Sequence, residues 1–551
     1  MRGSCLKVCT YTGILFLPVL TFAQNRAIEE KGLDERINDW FAPVANAWES
    51  IVFFPVRFSE TIRVPFIVIL LVTGALFFTL FFSFVNIRRF GLAIRVVRGK
   101  YDHLEVDAPH VEPPELNIAE GDIVDTLKDE SHHGEVNHFQ ALATAVSGTV
   151  GLGNIAGVAV AVAIGGPGAT FWMIVCGLLG MSSKFVECTL GVKYRDLDKN
   201  GVVYGGPMYY LKKGLAEKNL AGFGKVLSVL FAVLCIGGSF GGGNAFQANQ
   251  ATQQIVSMIG LQGGSSGFIV GVIMAVLVGV VIIGGIKRIA TVTEKIVPFM
   301  AGFYIIASLI IIFAHFTLID DAFGQIISQA FSPAAGLGGI AGVLIQGFRR
   351  AVFSNEAGAG SAAIAHSAVR TRYPASEGLV SLLEPFIDTV VICTMTALVI
   401  ILFNMNGAFT YGGNGAGNVI LHTTGKSVGG VDLTSAAYND VIPHFSYVLT
   451  VAIVLFAFST MISWSYYGLQ AWKYLFGRGR ASDLSYKLLF LAFVVIGASA
   501  TLGAVVQFSD AMILAMVFPN MIGLFLLFPK VKEELNRYLV AIKKPKRLSN
   551  S

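Results

Sequence analysis

Polar segments divide the chain into eleven apolar runs, each long enough to cross a bilayer. With a span taken as about 17 to 25 residues, they fall near 64–85, 138–164, 169–191, 223–256, 267–285, 293–318, 336–366, 377–403, 443–471, 486–504 and 508–529. Such runs form helices because hydrocarbon offers no partner to a free backbone N–H or C=O. Two runs contain breaks. Ser147-Gly148-Thr149-Val150-Gly151-Leu152-Gly153-Asn154-Ile155-Ala156 interrupts the second run with three glycines, a pattern tolerated where backbone lines a cavity and binds something. In the seventh, Arg349-Arg350-Ala351-Val352-Phe353-Ser354-Asn355-Glu356-Ala357-Gly358-Ala359-Gly360 puts three charged side chains at membrane depth, where such groups are costly and functional by default. With the first run set aside, the breaks fall in the first and sixth of ten helices, corresponding positions in two halves of five. Five is odd, so the halves have opposite topology. The competing reading, glycines for close packing and a snorkelling arginine pair, leaves Asn154, Ser354 and Glu356 without a role. The expected fold is an all-α integral membrane protein of about eleven transmembrane helices. One helix is peripheral, and the others form a ten-helix 5+5 inverted-repeat core with discontinuous first and sixth core helices.

Composition agrees, with 54% hydrophobic and 14% charged residues against about 25% charged in a soluble domain. Lys and Arg gather in alternate connections, as at Arg88, Arg89, Arg95, Arg98 and Lys100, while 257–266, 319–335 and 504–507 carry none. The basic face is cytoplasmic by the positive-inside rule. That sets the C-terminus inside and the mature N-terminus outside, in the cytoplasmic (inner) membrane of a bacterium. The net charge of +5 then belongs to inner loops and the tail 530–551, so no nucleic-acid partner is expected.

Residues 1–23 read as a cleaved signal peptide, with Arg2 and Lys7 before an apolar centre and Thr21-Phe22-Ala23 at its end; an uncleaved anchor is the other reading. Residues 24–63 read as a periplasmic amphipathic segment whose Trp40 and Trp48 suit the interface. The rest divides into an extra transmembrane helix (64–85), a basic then acidic cytoplasmic loop (86–137) and two five-helix repeats (138–318 and 336–529). Cys176, Cys188, Cys235 and Cys393 lie within spans and read as small core residues. His132, His133 and His138 are weighed as metal ligands, but adjacent histidines in a solvated loop ordinarily bind nothing. Gly151-Leu152-Gly153-Asn154-Ile155-Ala156 matches the dinucleotide pattern without a βαβ unit around it. Gly237-Gly238-Ser239-Phe240-Gly241 matches the nucleophile-elbow pattern inside a span rather than at a strand-to-helix turn. Neither supports an enzyme, and no cofactor is expected.

From about 138 to 400 the chain resembles the alanine or glycine:cation symporters, which are similar in fold to the bacterial leucine transporter of the neurotransmitter:sodium symporters. The resemblance rests on Val150-Gly151-Leu152-Gly153-Asn154-Ile155-Ala156-Gly157-Val158, Gly165-Gly166-Pro167-Gly168-Ala169, Tyr204-Gly205-Gly206-Pro207-Met208-Tyr209-Tyr210 and the segment Gly347 to Gly358. Ala457-Phe458-Ser459-Thr460 and Ser463-Trp464-Ser465-Tyr466-Tyr467-Gly468 add to it. It leaves out residues 1–63 and the acidic insert, and Ala359 stands where the family usually has a bulkier residue.

This resemblance implies a substrate carboxylate at the free N–H groups of Leu152, Gly153 and Asn154, the positive end of a half-helix. It implies one sodium among the Thr149 carbonyl, Asn154, Ser354 and the substrate carboxylate. A second would join the carbonyls of Ser147, Val150 and Ala457 to the Thr460 hydroxyl, although another hydroxyl position of that site reads Met461 here. Thr149, Gly153, Gln247, Phe353, Ser354 and Trp464 would bind the substrate, while Asn244 and Asn249 are open to ligand contact or interhelical bonding. Arg349, Arg350, Glu356 and Asp388 are left for ion pairing, gating or proton carriage. The function expected is sodium-coupled symport of small neutral amino acids, alanine or glycine, into the cell by alternating access. A proton-coupled permease of the same fold, working through Glu356, is the alternative; a passive channel is the alternative from another class.

Overall fold

The computed structural model describes residues 32–58, 63–106, 118–119, 122–123, 134–198, 202–261, 263–282, 285–331, 339–414 and 417–543. The expected signal peptide, most of the acidic insert with His132 and His133, and the end of the basic tail lie outside them. α1 (Leu33–Val52) is the amphipathic segment, joined to α2 (Phe66–Phe81) by an antiparallel hairpin in the register Val56↔Val64. α2 is shorter than the apolar run because Ser83 and Phe84 take left-handed backbone, φ 53° and 58°, which ends a helix.

α3 (His138–Thr149) starts on a capping box. Asn137 Oδ1 accepts the Gln140 N–H at 2.8 Å and Gln140 Oε1 accepts the Asn137 N–H at 3.2 Å. After the first break come α4 (Val158–Gly165), α5 (Gly168–Lys193) and α6 (Pro207–Ala216), which opens with proline in its first turn. α7 (Ala221–Phe240) passes through a widened turn at Gly241–Ala245 into α8 (Phe246–Ile259). α9 (Ser266–Ile282), α10 (Gly285–Ala314) and α11 (Ile319–Phe331) lead to the second broken element, α12 (Gly339–Asn355) followed by α13 (Ala362–His366). α14 (Pro374–Val380) and α15 (Thr394–Phe403) lie in one helical stretch, Pro374–Asn406. α16 (Val431–Val441), α17 (Phe445–Phe476), α18 (Arg480–Ser499) and α19 (Leu502–Ala541) complete the chain.

Among the described residues, seven helical stretches are long and apolar enough to cross a membrane. The pair His138–Thr149 and Gly153–Gly165, bent by 50°, makes an eighth. The connections at 319–335 and 404–442 are not plain loops, since α11 and α16 form within them. α9 turns Ile269, Ile273, Val276, Leu277 and Val280 outward, a band of apolar surface that suits lipid rather than water. Both broken elements are buried at their breaks: Gly153 to Gly157 packs against α12, α16 and the segment Phe386–Cys393, and Asn355 to Ser361 meets α17 through Trp464 and α19 through Asn520.

Candidate substrate and cation site

α3 ends where Val150 leaves helical geometry, its N–H donating to Val146 O at 2.7 Å. The next donors do not stay free. Gly151 N–H donates to Asn154 Oδ1 and Leu152 N–H to Gln247 Oε1, both at 2.9 Å, while Asn154 N–H reaches Gly151 O at 3.2 Å. Of the N–H groups at Leu152, Gly153 and Asn154, expected to be open, those of Leu152 and Asn154 are taken up by a side chain and by local backbone, because a buried donor without an acceptor costs more than a bond gains.

The second break turns on Glu356, a non-glycine residue at φ 56°, with Gly358 and Gly360 at φ 86° and 90°. Its carboxylate repays that strain: Oε1 accepts the Trp464 indole N–H at 2.9 Å and Oε2 accepts the Ser361 hydroxyl. Trp464 is therefore a hydrogen-bonding anchor as well as a wall.

Asp388 joins the two breaks. Its Oδ1 accepts from Asn154 Nδ2 at 2.7 Å and from the Ser354 hydroxyl at 3.1 Å, and its Oδ2 accepts the Thr389 hydroxyl at 2.7 Å. The Asn154 amide is a donor, while the two hydroxyls can donate or accept. Behind α3, Thr460 donates to Ser147 O and Ser147 donates to Ser459 O, each at 3.0 Å. A Cβ on Gly151 would stand 2.3 Å from Thr460 Oγ1, so this approach requires glycine. Val150 and Ala457 are fully buried beside these residues.

Gly148, Thr149, Gly153, Gly242, Gln247, Phe353, Glu356, Thr460, Trp464 and Ile513 enclose a cavity of about 10 Å³. That is room for about one water, so anything larger enters only when Phe353, Trp464 or Ile513 moves. Five of the six expected substrate residues line it; Ser354 points instead to Asp388. Asn244 and Asn249 do not reach it, because Asn244 donates to Phe490 O at 2.6 Å and Asn249 to Gly497 O and Ala500 O at 2.9 and 2.7 Å.

Arg349 and Arg350 both pair with Asp510 on α19, Arg349 Nε at 2.6 Å. Arg350 also lies over the ring of Phe353, 5.2 Å from its centroid, which couples this cluster to the cavity wall. Asp510 is an acid within an apolar run and could have been singled out on that ground. A further buried network joins α5 to α13 and α14. Lys184 Nζ lies 3.1 Å from Glu384 and 3.9 Å from Glu187, and His366 bridges Glu384 and Glu377 at 3.5 and 2.5 Å. His138 pairs with Glu377, and no cluster of metal-binding residues occurs among the described residues. Ser239 donates to Ile236 O at 2.7 Å and accepts from Tyr486 at 3.0 Å, so it is a packing residue without a base.

The sequence model for the sodium:alanine symporter family matches residues 118–550. The sodium/alanine symporter AgcS of Methanococcus maripaludis is 38% identical over 475 residues, 86% of this chain and 94% of that protein. The putative sodium/proton-dependent alanine carrier protein YrbD of Bacillus subtilis is 36% identical over 74% of this chain and 81% of its own length. The probable sodium/glutamine symporter GlnT of the same organism is 35% identical over 73% and 78%. A solved structure, MhsT in complex with L-phenylalanine, aligns with a TM-score of 0.46 at 14% identity, over 72% of this chain and 99% of that one.

Proposed function

Because this chain belongs to the sodium:alanine symporter family, a multi-pass membrane family of cation-coupled amino-acid symporters, we propose that it imports small neutral amino acids, alanine or glycine first, with sodium. The expected eleven spans, the 5+5 repeat, the inner-membrane location and alternating access are part of this reading. The observation that carries it is the cluster of Asn154, Ser354 and Asp388 between the two helix breaks.

Asp388 supplies a fixed negative charge and Ser354 a hydroxyl oxygen, both hard ligands suited to sodium. The Asn154 amide turns its nitrogen toward Asp388 and its oxygen toward Gly151. Reversal of that amide presents Oδ1 to a cation and releases the Gly151 N–H. In the same way a substrate carboxylate takes the place of Gln247 Oε1 on the Leu152 N–H. The carboxylate thus replaces an internal hydrogen bond at Leu152 by an equivalent one, and its second oxygen is the acceptor for the Gly151 N–H that the amide reversal frees. Cation and carboxylate each prepare the other's site, and their coupling is reciprocal. Thr460, the Ser147 carbonyl, Val150 and Ala457 form the second cation site, between α3 and α17. Phe353, Trp464 and Ile513 restrict the substrate side chain. Arg349, Arg350 and Asp510 close the outer side.

Uptake of labelled amino acids into proteoliposomes tests this reading. Alanine and glycine accumulate with sodium outside, and large or charged amino acids compete poorly; equal accumulation with choline in place of sodium overturns it.

A further inference from the structure

The family match begins at residue 118, so α1 lies outside it, yet α1 reaches the ion cluster beside the cavity. Glu49 Oε1 accepts from Arg349 Nη2 at 2.7 Å, and the Arg349 guanidinium lies 4.2 Å from the centroid of the Phe53 ring. The same guanidinium bonds Asp510 through Nε. Arg349 is therefore held from two sides, by α19 and by the end of α1.

The other end of α1 is pinned to different helices. Asp34 accepts the N–H groups of Gly267 and Phe268 at 3.0 and 2.9 Å, capping α9. Asn38 Oδ1 accepts the Thr501 N–H at 2.9 Å and its hydroxyl at 2.8 Å, at the start of α19. Between these pins Trp40, Phe41, Val44 and Trp48 roof an apolar cavity of about 280 Å³. Phe41 and Ala45 are nevertheless buried, Phe41 edge to face with Phe508 on α19 at 5.1 Å between centroids, so packing and the polar ends together fix the position of α1. The cluster it touches is itself incompletely paired: Arg350 Nε and Nη1 and Asp510 Oδ1 have no partner among the described residues. Unsatisfied groups of this kind lower the cost of opening a contact.

We propose that Glu49 is a positioning residue of the outer closure, through which α1 holds Arg349 against Asp510 and sets how readily the path to the cavity opens. The inference rests on the reading of Arg349, Arg350 and Asp510 as that closure. Glu49 and Arg349 side chains are 24% and 17% exposed, so the pair is shielded enough to matter and open enough to separate.

The test uses the full chain in proteoliposomes, with Ile513→Cys as reporter and Cys5 and Cys9 replaced by serine. Ile513 lines the cavity and the four described cysteines are buried, so an impermeant maleimide added outside reads opening of the outer path, whatever the substrate. Glu49→Gln is expected to raise the labelling rate about threefold, the scale of a partly exposed ion pair, and Glu49→Asp to raise it less. Asp510→Asn raises it also, and the double variant with Glu49→Gln labels little faster than Asp510→Asn alone, because both act through Arg349. A response to Asp510→Asn without one to Glu49→Gln overturns the role of Glu49 and leaves the closure standing. Full multiplication of the two effects also overturns it, since Glu49 then acts independently of the closure. No response to either removes the closure itself.

Discussion

Replacing Asp388 by asparagine removes a charge while leaving its hydrogen bonds nearly intact, so its effect should fall on the cation rather than on folding. The amide oxygen in place of Oδ1 still accepts from Asn154 Nδ2 and the Ser354 hydroxyl, at 2.7 and 3.1 Å in the native protein. The amide nitrogen in place of Oδ2 meets Thr389 Oγ1, whose hydroxyl also accepts from Asn355 Nδ2 at 2.8 Å. A hydroxyl has two acceptor lone pairs and can turn its proton away, so all these contacts remain satisfiable. Stability should change by about 1 kcal/mol or less. Loss of the anionic ligand should cost the cation about 1.5–3 kcal/mol, the worth of a bond to a charged group. That raises the sodium concentration for half-maximal uptake about 10- to 100-fold. The assay is initial alanine uptake against sodium in proteoliposomes, alongside thermal unfolding of the purified variant. Unchanged sodium dependence in a folded Asp388→Asn protein refutes the reasoning.

Three further substitutions probe neighbouring contacts. Gly151→Ala places a Cβ 2.3 Å from Thr460 Oγ1 and 3.1 Å from Gln247 Oε1; displacing the Thr460–Ser147 bond should cost about 1–3 kcal/mol and lower sodium affinity in the same uptake assay. Trp464→Phe withdraws the indole donor from Glu356, leaving a buried carboxylate oxygen short of a partner; a loss of about 1–3 kcal/mol should appear in thermal unfolding together with a raised alanine Km. Lys184→Met leaves Glu384 and Glu187 without their shared cation and should destabilise the protein by about 3–5 kcal/mol, read as loss of the folded peak in detergent chromatography on heating.

The two breaks were legible because glycines and charges stand out inside apolar runs, and the structure bends or unwinds at both. Five of the six residues that the resemblance put forward for the substrate, Thr149, Gly153, Gln247, Phe353 and Trp464, line the cavity. What joins the two breaks could not be read in the same way. Asn154 and Asp388 are 234 residues apart, and no local pattern pairs an asparagine in one span with an acid in another. Asn244, Gln247 and Asn249 share one helical segment, yet only packing against α18 decides that Gln247 alone faces the break. The buried Lys184, Glu187, Glu377 and Glu384 were each visible as intramembrane ionisable residues, but their pairing is tertiary. α11 carried a readable start signal in Asp320 and Asp321 in its first turn; the absence of Lys and Arg drew its stretch into a loop assignment instead.

Uptake of labelled alanine into proteoliposomes, with sodium outside or replaced by choline, for the native chain and for Asn154→Ala, addresses coupling at the first helix break most directly. The account predicts accumulation with sodium that choline does not support and that Asn154→Ala abolishes. Undiminished accumulation without sodium, or with Asn154→Ala, contradicts it.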